Sequence, residues 1–284
     1  MVKISRLFIF LSCLFSSTVV VGESAPPCVL ITIPKSGSHM VIKALYFLTG
    51  GSPIWHTHFP SLCYIPSEQG FLYTHFCVSS QLEKNYSHLP ELKKIINVRD
   101  LRDVCISMVH QICKSPWPGM NQDIRNKFKK MSFEKQLLFV INFDYELDEV
   151  AEFAPNSLQA SIAKIAEQAV QYSQERDCLV CKYENLVGLR GGGSEELQKE
   201  ELRRIITYLD LSVSESLLSD IASSLYGNEV DPFSSGKFAH FQSTFQQGKV
   251  NNWKNFFTEE HKEAFKHRLG KSLIALGYEQ DNNW

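Results

Sequence analysis

An excess of charge of either sign is the first thing missing from this chain. Its 284 residues carry 29 Lys and Arg against 31 Asp and Glu, a formal net charge of -2. With no global basic field, general nucleic-acid binding is disfavoured, and any anion must be held by local groups. A His/Cys/Asp/Glu cluster of metal-ligand type is also missing, so no metal is implied. There is no G-x4-G-K-[ST] run, which argues against a Walker A loop and the kinase and NTPase chemistry that goes with it. Internal repeats and long linkers are absent too. Hydrophobic content of 44% and charged content of 21% are ordinary for a folded globular protein. The length allows one large domain or two small ones.

What is present begins with an unusual N-terminus. "MVKISR" supplies two cations, "LFIFLSCLFSSTVVVG" is almost wholly apolar, and "ESAPP" follows. This is the pattern of a secretory leader over residues 1–22, with cleavage near Gly22. Export after cleavage is the expectation. The run is short for a membrane span, so a membrane anchor stands second. A buried first strand in a cytoplasmic protein is the third reading. The eight cysteines do not look like a disulfide framework. Cys13 lies in the leader and the rest are scattered through core-like segments, so buried free thiols are expected. In "CLVC", Cys178 and Cys181 fall three apart on an expected strand and point to opposite faces, unlike a redox pair.

Beyond the leader, short apolar runs alternate with helical patterns. Strands are expected at Cys28–Ile33, Phe71–His75, Lys94–Val98 and Cys178–Tyr183. Helices are expected at Met40–Leu48, Leu101–Cys113, Phe133–Phe143, Leu158–Gln174, Leu197–Tyr208 and Thr258–Leu276. This alternation implies a single α/β domain over residues 28–280. Its central sheet would be mostly parallel, with helices on both faces.

Two segments carry chemistry. In "VLITIPKSGSHMVIKAL" a strand gives way to a helix through Pro34-Lys35-Ser36-Gly37-Ser38. Such a loop offers backbone N–H groups and hydroxyls to phosphate-type oxygens, and Lys35 can stabilise charge on a bridging oxygen. An incidental helix cap would not account for Pro-Lys-Ser-Gly as a unit. In "INVRDLRDVCISMVH", Arg99 stands at the carboxyl end of a strand, where open α/β sheets place their ligands. Ser107 follows about two helical turns later. Together they could hold a second phosphate, although Arg99 alone could equally be an ion-pair partner of Asp103.

These segments resemble a known family. "TIPKSGSHM" is similar to the "TYPKSGTTW" phosphosulfate loop of sulfotransferases that use 3′-phosphoadenosine 5′-phosphosulfate (PAPS). Arg99 with Ser107 matches that family's 3′-phosphate pair. "YTH" at Tyr73–His75 resembles its "KTH", and "KYENL" at Lys182–Leu186 its "RYEDL". "QQGKVNNWKNFFT" at Gln246–Thr258 resembles its "RKGxxGDWKNxFT". The motifs keep the family's order from about Cys28 to Tyr278, and the fold this implies has a P-loop-like phosphate site. The resemblance implies that Lys35, Ser36, Gly37, Ser38 and His39 hold the 5′-phosphosulfate, with Lys35 also catalytic. Arg99 and Ser107 would bind the 3′-phosphate, Tyr183 would contact the adenine, and His75 would be the general base. PAPS would be the co-substrate, PAP the product, and a small molecule or glycan the acceptor. Trp55, His56, Phe59, Tyr64 and Trp117 are candidates to line the acceptor pocket.

The departures are as specific as the matches. Met40 replaces the family's adenine-packing tryptophan, and Tyr73 replaces the lysine of "KTH". The two cations that grip the 3′-phosphate become Gln246 and Gln247 before Gly248, with Lys249 one residue beyond as a substitute. An uncharged amide holds phosphate less strongly than a guanidinium fork, so weaker nucleotide binding is expected. The family's dimerisation pattern K-x-x-x-T-V-x-x-x-E has Glu259 in place of valine, which argues against dimerisation by that route. A nucleotide-binding module with impaired catalysis is therefore the alternative to a working transferase, with a P-loop-like kinase third. The leader itself makes a prediction. N-terminal sequencing of the protein from its native host should find a chain starting close to Glu23, whereas an intact Met1 in a soluble cytosolic fraction would refute cleavage.

Overall fold

The computed structural model describes residues 26–51, 54–57, 71–74, 92–114, 122–143, 162–227 and 247–284; for 54–57 and 71–74 it describes the backbone alone. Five parallel strands form the sheet: β1 (Cys28–Thr32), β2 (Ile54–Thr57), β3 (Phe71–Thr74), β4 (Lys93–Val98) and β5 (Cys178–Lys182). Their spatial order is β2-β3-β1-β4-β5. The register pairs Ile31 of β1 with Thr74 of β3 and with Ile96 of β4, and Thr32 with Asn97. The chain leaves β1 toward one edge and leaves β4 toward the other. The crevice beyond the carboxyl ends of these two strands is thus the switch point, where such sheets bind ligands.

Period-two alternation explains the two layers of core. Val29, Ile31 and Ile33 of the first strand, with Ile96 and Val98 of β4, face one layer. Cys28 and Leu30, with Ile95, face the other. The first layer is closed by α2 (Leu101–Lys114), α3 (Gln122–Lys129), α4 (Phe133–Asn142), α5 (Ile162–Ser173) and α9 (Glu259–Ala275). The second is closed by α1 (Ser38–Leu48), α6 (Tyr183–Leu186), α7 (Glu195–Tyr208) and α8 (Glu215–Ser224). Helices on both faces of a parallel sheet are what the alternating pattern implied. The "CLVC" thiols also fall as expected, Cys178 against the first layer and Cys181 in the second, and both are free.

The expected elements lie within a few residues of the observed ones, but β2, α3, α6 and α8 are additional, and Tyr183, expected to end β5, opens α6 instead. β2 is only four residues long. In α3, "QDIRNKFK" offers just two apolar positions. In α8, the serines of "ESLLSDIASS" dilute the helical pattern, although Ser214 accepts a hydrogen bond from the Leu217 N–H and caps its start. α9 starts at Thr258 with a capping box whose reciprocal partner is His261 rather than Glu or Gln. Glu259, at the valine position of the dimerisation pattern, is exposed and bonds Lys262. Among the described residues no helix is long and apolar enough to cross a membrane.

A buried charge cluster fixes the start of α2 directly behind the crevice. Arg102 donates through Nε and Nη2 to the Asp100 carboxylate at 2.9 and 2.7 Å, and its Nη1 lies 2.7 Å from Glu279. Its guanidinium sits between the rings of Trp253 (3.9 Å) and Trp284 (4.4 Å). Glu184 accepts from the Asp100 N–H and the Tyr278 hydroxyl, at 2.9 and 2.8 Å. The C-terminal segment is thereby tied to the strand end that carries Arg99. Removing one partner of such a pair leaves a buried charge without a counterion, which typically costs 3–5 kcal/mol. Arg102→Met should therefore lower the unfolding free energy in denaturant titrations by about 3 kcal/mol, and adding Asp100→Asn should recover part of the loss. An Arg102→Met variant as stable as the wild type would show that the cluster contributes nothing.

Candidate active site

The loop after β1 is shaped by two residues of left-handed backbone, Lys35 (φ 68) and Gly37 (φ 88), on either side of Ser36. The Ser36 N–H donates to Ile33 O at 3.0 Å, which closes a tight turn at the end of β1. Gly37 is required twice over. Its φ suits glycine, and a Cβ there would stand 2.2 Å from Tyr183 Cδ2. A lysine at positive φ is strained, and the neighbours hold it in place. Asn97 Nδ2 donates to both Ser36 O and Ser36 Oγ at 2.9 Å, and Ser36 Oγ donates to Asn97 O at 3.2 Å. The Ser36 hydroxyl is thus turned inward, and Ser36 contributes to the loop through its backbone. Ser38 Oγ donates to Thr32 Oγ1 at 2.9 Å. Gly37 is the N-cap of α1 and no side chain caps that helix, so its first N–H groups stand at the crevice with the positive end of the helix dipole. His39, partly buried, lies in the same first turn.

Arg99 follows β4 directly. Its Nη1 donates to Lys35 O at 3.2 Å and its Nη2 to Lys249 O at 2.9 Å, while its plane lies 4.4 Å from the Tyr183 ring centroid. Asp103 Oδ2 is 3.8 Å from Nη2, a charge contact too long for a hydrogen bond. Arg99 thus pairs loosely with Asp103 and stands at the crevice beside the loop after β1. Burial pushes the Asp103 carboxyl up to about 6, with Arg99 acting against it. The other Asp103 oxygen accepts the Trp253 N–H at 2.7 Å, joining α2 to the "NNWKN" segment.

That segment brings in the third part of the site. The Tyr183 hydroxyl donates to Gly248 O at 2.6 Å, Tyr226 donates to Gln247 O, and the Val250 N–H donates to Gly191 O at 3.0 Å. Gly248 and Lys249 thus lie beside the loop after β1, with the Gln247 and Lys249 side chains exposed. Tyr183 is buried, and its contacts are with Arg99, Gly37 and Gly248. Burial also pushes its hydroxyl up to about 12. Asn251 takes φ 57 where the family pattern has glycine, a conformation asparagine tolerates better than most residues.

Ser107 lies on α2 in one stripe with His110, Gln111 and Lys114, spaced i, i+3, i+4 and i+7. Lys35 Nζ lies against this stripe and donates to Gln111 Oε1 at 3.0 Å. Burial, then the charges of Arg99 and Lys114, hold the Lys35 ammonium down at about 8. Burial, Lys114 and Lys35 also lower the His110 pKa. Gln111 and Asn97 were not among the residues singled out from the sequence. The i+4 spacing from Ser107 was the available signal for Gln111, and none marked Asn97. His75 and Gln246 lie outside the described residues, as do Phe59, Tyr64, Trp117 and the side chains of Trp55 and His56. The strand that leads to His75 ends at Thr74, beside Ile31 near the carboxyl end of β1. No metal-type cluster occurs among the described residues.

A parallel sheet with a helix lacking a side-chain cap, a lysine and an arginine at its switch point brings together the kinds of group that suit phosphate-type anions. The chain belongs to the sulfotransferase domain family, whose model matches residues 25–277. Solved structures of similar fold include mouse sulfotransferase SULT7A1 complexed with PAP. It has a TM-score of 0.60 and 18% identity over 88% of this chain and 85% of that one. Retinol dehydratase in complex with androsterone and the inactive cofactor PAP is also similar, with a TM-score of 0.56 and 14% identity over 89% and 82%. No protein with a curated description matches the sequence.

A charged lysine held at this place is a stability liability in the ligand-free protein. Between about pH 8 and 10.5 the folded chain binds fewer protons at Lys35 than the unfolded chain. Unfolding free energy therefore rises with pH through that window, and the penalty is fully present below it. Lys35→Met should stabilise the nucleotide-free protein near neutral pH by about 1–3 kcal/mol and flatten the rise above pH 8. A destabilised Lys35→Met variant in thermal melts would contradict this.

Proposed function

We propose that this protein transfers a sulfuryl group from PAPS to a hydroxyl or amine of a small-molecule or glycan acceptor. The observation that carries the reading is the pair of bonds from Arg99 to Lys35 O and Lys249 O. They gather the phosphate loop, the strand-end arginine and the Gly248 turn around one crevice, the three parts that the resemblance assigns to the two ends of PAPS. PAP in the similar structures supports the choice of nucleotide.

The residues fit such a ligand. The α1 N-terminus offers N–H donors for the 5′ end, with Lys35 beside it. Arg99 and Ser107 offer a guanidinium and a hydroxyl for the 3′-phosphate, helped by Lys249. Tyr183 keeps Arg99 and the Gly248 turn in place and, by the resemblance, borders the adenine. In the reaction the acceptor oxygen or nitrogen bonds to sulfur as the bond from sulfur to the bridging phosphate oxygen breaks. Lys35 neutralises the charge that gathers on that leaving oxygen, and His75 takes the acceptor proton. No metal takes part in this scheme. The leader directs the chain out of the cytosol, with PAPS reaching it there.

The absence of the family's cations at Gln246 and Gln247 favours one second reading, a nucleotide-binding module with weak catalysis. PAPS titration run beside a turnover assay on a panel of phenols, sterols, amines and glycans separates the two. The transferase reading expects both binding and turnover, with Lys35→Ala folded but at least ~100-fold slower. A folded Lys35→Ala with near-normal turnover removes the mechanism, and competition by Mg-ATP as effective as by PAPS points to a kinase-like site. Gln246→Arg with Gln247→Lys should tighten PAPS about tenfold, a gain that vanishes for the analogue lacking the 3′-phosphate. Equal gains for both nucleotides would mean that this turn does not meet the 3′-phosphate.

A further inference from the structure

We infer that Gln111 is a positioning residue that holds Lys35 at the crevice through the Nζ to Oε1 hydrogen bond. The inference rests on the transferase reading for its consequence in turnover, but the contact itself belongs to the nucleotide-free chain. Lys35 reaches α2 from a strained loop position, and Gln111 meets it four residues beyond Ser107 on the same polar stripe. Gln111 thus reaches Lys35 from the same helix face that carries Ser107.

The chemistry of an amide suits this task. Charged and titratable groups that face Lys35 include Arg99 from the end of β4, and Lys114 and His110 from α2. An ammonium in that company tends to lose its proton or to swing toward water. The Gln111 carbonyl oxygen accepts a hydrogen bond from the charged form and favours it. Being neutral, it leaves the full positive charge available to a phosphate oxygen. A carboxylate at the same place would hold the lysine in an ion pair that the nucleotide must break. A hydrocarbon there would leave the ammonium without this acceptor. Glutamine keeps Lys35 charged, in place and releasable.

The test uses the full chain with Gln111→Met and Gln111→Glu, each first confirmed folded by circular dichroism. Competitive labelling of Lys35 with an amine-directed reagent across pH, in the absence of nucleotide, reads its titration directly. Gln111→Met should move that titration about one pH unit lower and Gln111→Glu about one unit higher. In turnover, the alkaline limb of kcat should move in the same opposite directions. Gln111→Glu should also lower kcat about tenfold or more even where Lys35 is fully charged, because the ion pair competes with the leaving oxygen. Labelling curves that coincide for the wild type and both variants overturn the inference, and Gln111→Glu alone suffices for this if Gln111→Met fails to fold. Shifted labelling without any sulfuryl transfer would instead refute the transferase reading while upholding the contact. Transfer with unshifted labelling would refute the contact alone.

Discussion

Arg99 is the point at which three distant segments of the chain meet, and the rest of the site depends on its two bonds to backbone carbonyls. One goes to the loop after β1, the other to the turn after Gly248. A guanidinium has several donors in a fixed plane, so it can hold two carbonyls and still stack on the Tyr183 ring. A lysine could not do all three. The position of Arg99 is in turn set from behind. The Asp100–Arg102–Glu279 cluster and the two tryptophans fix the first turn of α2. The phosphate loop, the strand end and the C-terminal segment are therefore one mechanical unit rather than three neighbours.

Much of this could be read from the residues. β1 and most of β4 are buried and rich in branched apolar side chains, so period and composition agree on them. The loop Pro34–Ser38 was legible because a proline, a lysine and a glycine in that order suit few other purposes. The illegible parts have physical reasons as well. α3 has too few apolar residues to show a helical stripe, the short apolar face of α8 is set among four serines, and β2 is too short to show alternation. Gln111 and Asn97 are amides whose roles exist only once the chain has folded. Asn97 belongs to the site because β1 and β4 lie side by side in register, and nothing local to "KKIINV" announces that. The roles assigned to His75 and Gln246 rest on the resemblance alone, since both lie outside the described residues.

The turn at 247–251 shows how a motif can keep its shape while its charge changes. Gly248 and Asn251 adopt the left-handed backbone that the turn requires. The hydroxyls of Tyr183 and Tyr226 hold its carbonyls, and the Asp103 carboxylate holds the Trp253 N–H. All these contacts involve the main chain of the turn. They place no demand on the side chains of Gln247 or Lys249, which point to solvent. Geometry and electrostatics are thus specified by separate atoms, and the Gln247 amide can stand where the resemblance expects a cation without disturbing the scaffold.

The thiols give the fold a built-in report on its own opening. Cys28 and Cys181 lie in one core layer and Cys105 in the other, all fully buried, and burial raises the pKa of each well above its ordinary value. In the native state they are neither accessible nor ionised, so a thiol reagent reaches them only when their layer comes apart. Two layers on opposite sides of one sheet thereby carry separate clocks. The rate at which each cysteine is alkylated measures how often α1, α7 and α8 lift from the sheet, independently of α2, α4 and α9.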